Sequence, residues 1–242
     1  MSSQRRKRES SVFGLRKLAA GIVLLGALAA GVGSYTGLDF NSIVGSPQVE
    51  SLESLPEYEG QTYVVVNEND PEFSDEDKNG PVYEYYSELD SLGRCGYAEA
   101  KISLELMPKE ERGAIGSVKP SGWHTVKYDC VEGKYLYNRC HLIGYQLTGE
   151  NANEKNLITG TRYLNVEGML PWEDEVAEYI ERTGDAVMYR VTPIFEGANL
   201  VASGVQMEAE SIGSDEIRFN IYVFNVQPGI EIDYATGESR EE

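Results

Sequence analysis

The sequence predicts an α+β domain with a central antiparallel sheet and flanking helices, and three observations support this fold class. Hydrophobic residues make up 41% of the 242 residues, which is enough for an ordinary globular core. An amphipathic helix is predicted over 170–182, with Pro171 near its start. After this helix come three β-rich segments, which predict an antiparallel meander: 186–195, 199–208 and 217–226.

The N-terminal 33 residues predict an export signal or a membrane anchor. A basic cluster over 5–8 precedes 16 uncharged, mostly apolar residues over 18–33. That length lies between a signal-peptide core of about 7–15 residues and a spanning helix of about 20. Cleavage and retention therefore both remain open, with a buried core helix as the third alternative. Either address would place the rest of the chain outside the cell, because the positive cluster stays on the cytoplasmic side.

Residues 34–80 are predicted to form an acidic linker, because Gly, Ser, Pro, Asp and Glu dominate there. Only 63–66 has the β-branched composition of a strand. The globular domain is predicted over 81–242. Its first half is expected to contain a short helix or extended entry over 82–92, a strand over 96–106, a turn or short helix over 108–113, a hairpin of 123–128 with 135–137, and a helix over 156–165.

The charge distribution bears on the class of partner. A net charge of −19 argues against a tight nucleic-acid binder, because phosphate binding normally rests on Lys and Arg. Between 94 and 162, however, ten Lys/Arg stand against eight Asp/Glu, a net +2. A locally basic cleft inside an acidic protein is therefore compatible with an enzyme that must release its product.

The two histidines are the first candidates for hydrolytic chemistry, because imidazole is the usual general base near neutral pH. His141 follows the predicted hairpin, and Arg139 lies two residues before it. Arg139 is therefore expected to reach a phosphate that is bound next to His141. Amides and a carboxylate follow, and such oxygens are the ligands that Mg²⁺ accepts. His124 lies in the middle of a predicted strand, which favours a structural role.

These residues resemble a known family. The segment 138–141, Asn-Arg-Cys-His, resembles the signature of the DNA/RNA non-specific endonucleases, which have a ββα-metal (His-Me finger) core. The likeness is greatest to streptococcal-type DNA-entry nucleases and secreted DNases, and it covers about 94–237. Further similar segments occur in the same order: 119–123, 151–156, 161–165, 225–229 and 233–237.

The resemblance implies a catalytic and metal-binding set. His141 matches the general base, and Asn165 matches the asparagine that ligates a single Mg²⁺, with Mn²⁺ as an alternative ion. Asn156 matches a supporting asparagine of the metal site. Glu173, eight residues after Asn165, matches a glutamate that holds metal-bound waters and completes the catalytic set with His141 and Arg139.

The resemblance also implies a substrate-binding set. Arg139 matches the signature arginine that contacts the phosphate, and Asn138 stands where the family often has Asp. A further phosphate-binding arginine lies upstream in the family, and Arg94 and Arg112 compete for that role. The implied reaction is hydrolysis of DNA, with RNA as a further candidate, through backbone contacts that do not read sequence, leaving 5′-phosphate ends.

Two alternatives of other classes remain. A structural zinc module would use Cys95, Cys130, Cys140 and His141, but their spacing lacks a Cys-x₂-Cys pair and places two candidates side by side. A catalytically silent nucleic-acid binder at the cell surface, serving DNA uptake, is the other alternative. A disulfide between Cys130 and Cys140 and three unpaired thiols are equally compatible with the sequence. The oligomeric state is not predicted.

Overall fold

A computed structural model describes residues 46–242, in which a seven-stranded sheet is the largest element. The strand order is β1-β2-β9-β8-β7-β4-β3, and all pairs except β1–β2 are antiparallel. The strands are β1 (Gln48–Val49), β2 (Tyr63–Val66), β3 (Tyr83–Tyr86), β4 (Ala98–Ile102), β7 (Val187–Ile194), β8 (Gly204–Ser211) and β9 (Arg218–Phe224). Strands β7, β8 and β9 form the predicted meander, and the α+β class is confirmed.

One long helix covers a face of this sheet. Helix α3 (Leu170–Thr183) begins with Pro at its start and ends at Gly184, whose φ of 76° is the left-handed conformation that terminates helices. Its Trp172 ring packs 4.8 Å from the Phe219 ring of β9, and Val176 and Ile180 are fully buried beneath it. The predicted helix over 170–182 is therefore confirmed, and its apolar stripe closes the main core.

A separate two-stranded unit lies beside α3. Strand β5 (Tyr137–His141) pairs antiparallel with β6 (Leu157–Thr161), so that His141 faces Leu157 in the register. A π-helical turn, Leu164–Met169, follows β6 and runs directly into α3. The remaining described elements are two short helices, α1 (Asp75–Asn79) and α2 (Tyr145–Thr148), and a small hairpin of β10 (Ile230–Ile232) with β11 (Ser239–Glu241). Three 3₁₀ turns accompany them: Leu52–Ser54, Asn67–Asn69 and Glu154–Asn156.

Two sequence expectations near this unit are wrong in part. The segment 156–165, expected to be helical, is helical from Arg162 onward, but 157–161 is strand β6, because Ile158, Thr159 and Thr161 favour a strand and all three are buried between neighbours. The expected strand over 123–128 is reduced to a single bridge between Lys127 and Tyr135. The true partner of the histidine-bearing strand therefore lies downstream of it, across a loop of 15 residues over 142–156.

The segment expected to be a linker contributes to the sheet where it is described. Strand β2 pairs with β9, and its Val64 and Val65 are fully buried. The segment 82–92 enters the domain as an extended strand, β3, rather than as a helix. Within residues 46–242 no helix is long and apolar enough to cross a bilayer. The expected signal or anchor over 1–33 lies outside the described residues.

Candidate active site

His141 ends strand β5 and is held on both sides of its ring. It is only 6% exposed. Its Nε2 lies 2.7 Å from the carbonyl oxygen of Asn151, and its Nδ1 lies 3.2 Å from Nη2 of Arg112. A carbonyl can only accept and a guanidinium can only donate, so Nε2 carries the proton and Nδ1 presents its lone pair. The ring is therefore neutral, with its basic nitrogen directed at Arg112.

The surroundings of His141 keep this neutral form. Burial lowers the pKa of His141 to about 4, the bond to the Asn151 carbonyl works in the opposite direction, and the positive charge of Arg112 lowers the pKa further. A neutral imidazole at physiological pH can accept a proton, which is the state that a general base requires.

Asn165 lies at the start of the π-helical turn and lines the cleft in front of β5. The Sγ of Cys140, the residue before His141, lies 3.1 Å from Asn165 Oδ1 and 3.4 Å from the Met169 sulfur. Cys140 is 1% exposed, so a weak S–H donor braces the amide from the protein side. The Asn165 oxygen thus has a defined orientation and a second lone-pair direction for a cation.

Glu173 lies in the first turn of α3, and its carboxyl group is buried. Oε2 accepts a hydrogen bond from Gln146 Nε2 at 3.1 Å, and a Cβ built on Gly144 would lie only 2.7 Å from this oxygen. Burial raises the pKa of Glu173 to about 8, against the lowering effects of Gln146 and Arg112. Burial raises the pKa of the Cys140 thiol, and the nearby Glu173 carboxyl group adds to this increase when it is ionised. Glu173 therefore lies close to the residue that contacts Asn165.

Asn156 is a buried residue of the loop that follows His141. It is completely buried, its Oδ1 accepts the Ile143 N–H at 2.9 Å, and its Nδ2 donates to the Ile143 carbonyl at 3.0 Å. Both ends of the amide are therefore engaged with one backbone residue. Its oxygen is not available as a direct metal ligand in this arrangement, and its role as a supporting asparagine of the metal site stays a prediction.

The three candidate arginines, Arg94, Arg112 and Arg139, have different surroundings. The guanidinium of Arg139 stacks 4.0 Å from the centroid of the Trp123 ring and donates to the carbonyls of Gly116 and Val118. Arg139 lines the cleft with this orientation. Arg94 does not line it, because its side chain is bound to Asp90 at 2.7 Å and to two carbonyls of the loop over 197–199. The expectation of a substrate-binding Arg94 is therefore corrected, and Arg112 is the upstream arginine that reaches His141.

Arg112, Arg139 and Asn165 border an open cleft of about 480 Å³, and Arg112 connects it to His141, which does not itself line it. Arg162, which sequence reasoning did not single out, also lines it, and among the described residues its buried Nε has no hydrogen-bond partner. The same holds for the buried Nδ2 of Asn138, the first position of the signature. The cleft is lined by Arg112, Ile115, Trp123, Thr125, Tyr135, Tyr137, Asn138, Arg139, Arg162 and Asn165.

None of the remaining candidates lines this cleft. The Nε2 of His124 donates to the carbonyl of Thr236 at 3.1 Å, a contact with the C-terminal segment that fits a structural role. Cys95, Cys130 and Cys140 are all free thiols. Within residues 46–242, no group of three or more His, Cys, Asp or Glu is placed to hold a metal ion, so the described part of the chain offers no zinc module of that kind.

A comparison with models of protein families identifies the class of this protein. The model for DNA/RNA non-specific endonucleases matches residues 75–213, more than half of the chain. The chain belongs to the DNA/RNA non-specific endonuclease family. It is a metal-dependent nuclease that hydrolyses phosphodiester bonds.

Solved structures of nucleases resemble this one. NucA from Streptococcus agalactiae with magnesium bound is 25% identical, with a TM-score of 0.69 over 79% of this chain and 92% of that one. The Sda1 nuclease with a bound zinc ion is 27% identical, with a TM-score of 0.60 over 72% and 92%. An extracellular endonuclease at 22% identity and a TM-score of 0.52, over 67% and 87%, shares the fold.

The residues of the nuclease fit a hard divalent cation. Asn165 offers an amide oxygen at the cleft, and Glu173 offers a carboxyl group. In the absence of a cation, burial raises the pKa of Glu173 to about 8, so a nearby positive charge is what this carboxyl group needs in order to ionise. No described Cys or His cluster provides the softer ligands typical of structural zinc.

Several features of the site could not be found from sequence. Asn151 contributes its backbone carbonyl, for which no side-chain pattern exists. Gln146 and Trp123 act by contacts with Glu173 and Arg139 that depend on the fold. Arg162 had a usable signal, because it lies three residues before Asn165 in a segment already recognised as similar to the family.

Proposed function

We propose that this nuclease is an extracellular, sequence-non-specific endonuclease that cuts DNA, and RNA as a second substrate, with His141 as the general base and one Mg²⁺ as cofactor. The observation that carries the proposal is the hydrogen bonding of His141. With Nε2–H donated to Asn151, the lone pair of Nδ1 is free of a proton and directed to the cleft side, where Arg112 lies. Sequence-independence is supported by the lining of the cleft, in which arginines suited to phosphates predominate among the charged residues.

The cation would be held by Asn165, with Glu173 orienting its waters, and Mn²⁺ is the expected substitute. When bound, the ion stabilises negative charge on the phosphate and on the departing 3′ oxygen. Asn156 is a positioning residue in this proposal, because both ends of its amide are hydrogen-bonded to the backbone of Ile143. Zn²⁺, the ion bound to Sda1, is the competing cation for the same site.

The protein's own groups perform the proton and charge steps. His141 Nδ1 takes a proton from the attacking water, and the Nε2–H bond to Asn151 stabilises the imidazolium that results. Arg112 must move from Nδ1 to the phosphate for this to happen, because the lone pair cannot serve two donors. Arg139, held on Trp123, offers its remaining N–H groups to the same phosphate. The water oxygen forms a new bond to phosphorus, the bond between phosphorus and the 3′ oxygen breaks, and the 3′ oxygen takes a proton from solvent. The products are a 5′-phosphate end and a 3′-hydroxyl end.

The extracellular location is supported by the basic cluster at 5–8 and the apolar run at 18–33, which are typical of a signal peptide or an anchor. If the segment is retained, it is the contact with the membrane. Fractionation of expressing cells, with mass measurement of the N-terminus, separates a released, cleaved nuclease from an anchored one. Recovery of the protein in the cytosol with nuclease activity only there would contradict this part of the proposal.

Plasmid digestion tests the whole proposal. Wild-type protein should nick and linearise plasmid DNA in Mg²⁺, lose this activity in EDTA, and regain it on addition of excess Mg²⁺. The 5′ ends should accept ligation without kinase treatment. Activity that persists in EDTA would exclude the metal assignment, and 3′-phosphate ends would exclude the proposed direction of cleavage. A surface protein that bound DNA without cutting it under any metal would favour the binding alternative.

A further inference from the structure

Tyr135 is an exposed aromatic residue on the lip of the active-site cleft. Its side chain is 47% exposed, yet it lines the same cleft as Arg112, Arg139 and Asn165. A solitary exposed tyrosine is unremarkable on most surfaces. Tyr135 faces the cleft that the substrate must occupy, so its exposed ring is placed to contact the nucleic acid.

The local backbone holds the Tyr135 ring outward. A tight turn with positive φ at Gly133 and Lys134 reverses the chain, and Tyr135 bridges to Lys127. The next residue, Leu136, is fully buried in a small core with Val131. Because successive side chains of an extended segment point to opposite sides, burial of Leu136 leaves the ring of Tyr135 on the open side.

Two cations lie on this side of the cleft. The ammonium of Lys127 lies 4.3 Å from the ring centroid. Arg162, in the same cleft, pairs through Nη2 with Glu132 at 3.4 Å, and its buried Nε has no partner in the described part of the chain. The Trp123 ring is likewise contacted by Arg139, but Trp123 is only partly exposed, whereas Tyr135 is 47% exposed. The Tyr135 side of the cleft therefore combines one accessible aromatic ring with cations suited to a phosphate, which is the combination that binds single-stranded nucleic acid.

We infer that Tyr135 stacks against an unpaired base of the substrate strand, a few nucleotides from the phosphate that is cut. This inference rests on the proposed nuclease function and specifies the substrate form: a single strand, or a duplex opened at that point. Stacking suits this protein because its net charge of −19 weakens long-range attraction for a polyanion. Because every base has an aromatic face, the contact adds affinity without adding sequence preference.

The distance along the chain places the stacked base away from the scissile phosphate itself. Tyr135 and His141 are six positions apart in the chain, which is about 20 Å at the rise of an extended strand. The bend at Leu136 shortens this path. The stacked base is therefore expected a few nucleotides to one side of the cut, at a constant offset.

Cleavage of a single-stranded oligonucleotide with one abasic site tests the inference. The oligonucleotide is end-labelled, and cutting at every phosphate is compared with that of the intact sequence. Wild-type protein should show reduced cutting at phosphates that lie at one constant offset from the missing base. Tyr135→Ala should lower kcat/KM on intact single strands by roughly tenfold and abolish this local reduction. Tyr135→Phe, which keeps the ring, should restore both.

Tyr85 provides the matched control. It is also 47% exposed, but it lies on edge strand β3 and does not line the cleft. Tyr85→Ala should cut single strands as wild type does and retain the abasic effect. Wild-type cutting that ignores the abasic site at every offset would overturn the inference while leaving the nuclease function intact. Equal losses for Tyr135→Ala and Tyr85→Ala would overturn it as well. A wild-type protein that digests plasmid DNA but does not cut the intact oligonucleotide would also overturn the inference, whereas a protein that cuts neither substrate would count against the proposed function.

Discussion

The Nε2–H of His141 donates a hydrogen bond to the carbonyl oxygen of Asn151 across 2.7 Å, and this contact determines which nitrogen can act as a base. Asn151 lies in the loop between β5 and β6, whose conformation is held by the buried amide of Asn156. The position of the proton in His141 therefore depends on strands β5 and β6 and on the loop that joins them. Nδ1, the nitrogen left unprotonated, meets Arg112.

His141 should titrate at a much lower pH than an ordinary histidine does. Burial, with help from Arg112, lowers its pKa to about 4, whereas the unfolded chain takes up the proton near 6.5. Folding stability from this residue is therefore complete above about pH 6.5 and is lost as pH falls towards 4. NMR titration of a His124→Ala protein, in which His141 is the remaining histidine, reports it directly. A midpoint near 6.5 in the folded protein would contradict the burial argument.

Arg112 and Arg94 should behave oppositely when replaced. Arg112→Ala removes a charge-assisted contact with the phosphate, so kcat/KM should fall roughly ten- to hundredfold. The pKa of His141 should rise in the same variant, because a neighbouring positive charge is gone. Arg94→Ala should retain activity and lower the melting temperature, because Arg94 holds Asp90 and the loop over 197–199. Similar kinetic losses in both variants would contradict the different roles assigned to Arg112 and Arg94.

Metal binding should be linked to a proton through Glu173. Burial raises its pKa to about 8, so the metal-free protein holds this proton until about pH 8, while the unfolded chain releases it near 4.5. Metal-free stability should therefore fall as pH rises between these values. Mg²⁺ binding in that window should release a proton, and affinity should rise by up to roughly tenfold per pH unit. Calorimetry in buffers of different ionisation enthalpy measures this release.

Glu173→Gln is the control for that linkage. The amide is nearly isosteric with the carboxyl group and cannot ionise, so the proton release and the pH dependence of affinity should both disappear. The variant should also be more stable than wild type in metal-free buffer above pH 8, where the wild-type carboxyl group must carry a buried charge. An unchanged proton release in Glu173→Gln would assign the proton to another group.

Asn156 and Asn165 should separate stability from metal binding. Asn156→Ala strips two buried hydrogen bonds from Ile143, so the free energy of unfolding should fall by about 2–4 kcal/mol. Asn165→Ala lies at the half-exposed cleft and should leave stability nearly unchanged while weakening Mg²⁺ binding. Denaturant titration in EDTA and Mn²⁺ binding followed by electron paramagnetic resonance measure the two properties. Full Mn²⁺ affinity in Asn165→Ala would remove it from the metal site.

The sequence allowed the main architecture to be predicted, because hydrophobic patterning is a local signal. The meander of β7, β8 and β9 and helix α3 followed from it. Strand β6 did not, because the buried, β-branched run Leu157–Thr161 is short enough to be mistaken for part of a helix. Its pairing with β5 depends on a loop of 15 residues, a long-range contact without a local signature.

The site residues divide in the same way. The signature around His141 identified the site because the chemistry requires these residue types, whatever their position in the chain. The outcomes for Arg94 and Asn156 depend on contacts with distant backbone carbonyls and amides. The choice between Arg94 and Arg112 required the position of the loop over 107–120 relative to β5, which only the folded structure provides.

The rate of the chemical step in His141→Ala is the most direct test of the account. Single-turnover cleavage of a labelled oligonucleotide in saturating Mg²⁺ should slow by about 10²–10⁴-fold, since the general base is gone. His124→Ala, which loses only a surface contact with Thr236, should cleave within a fewfold of wild type. A His141→Ala protein that is folded, binds Mg²⁺ and cleaves at the wild-type rate would contradict the assignment of His141 as the base.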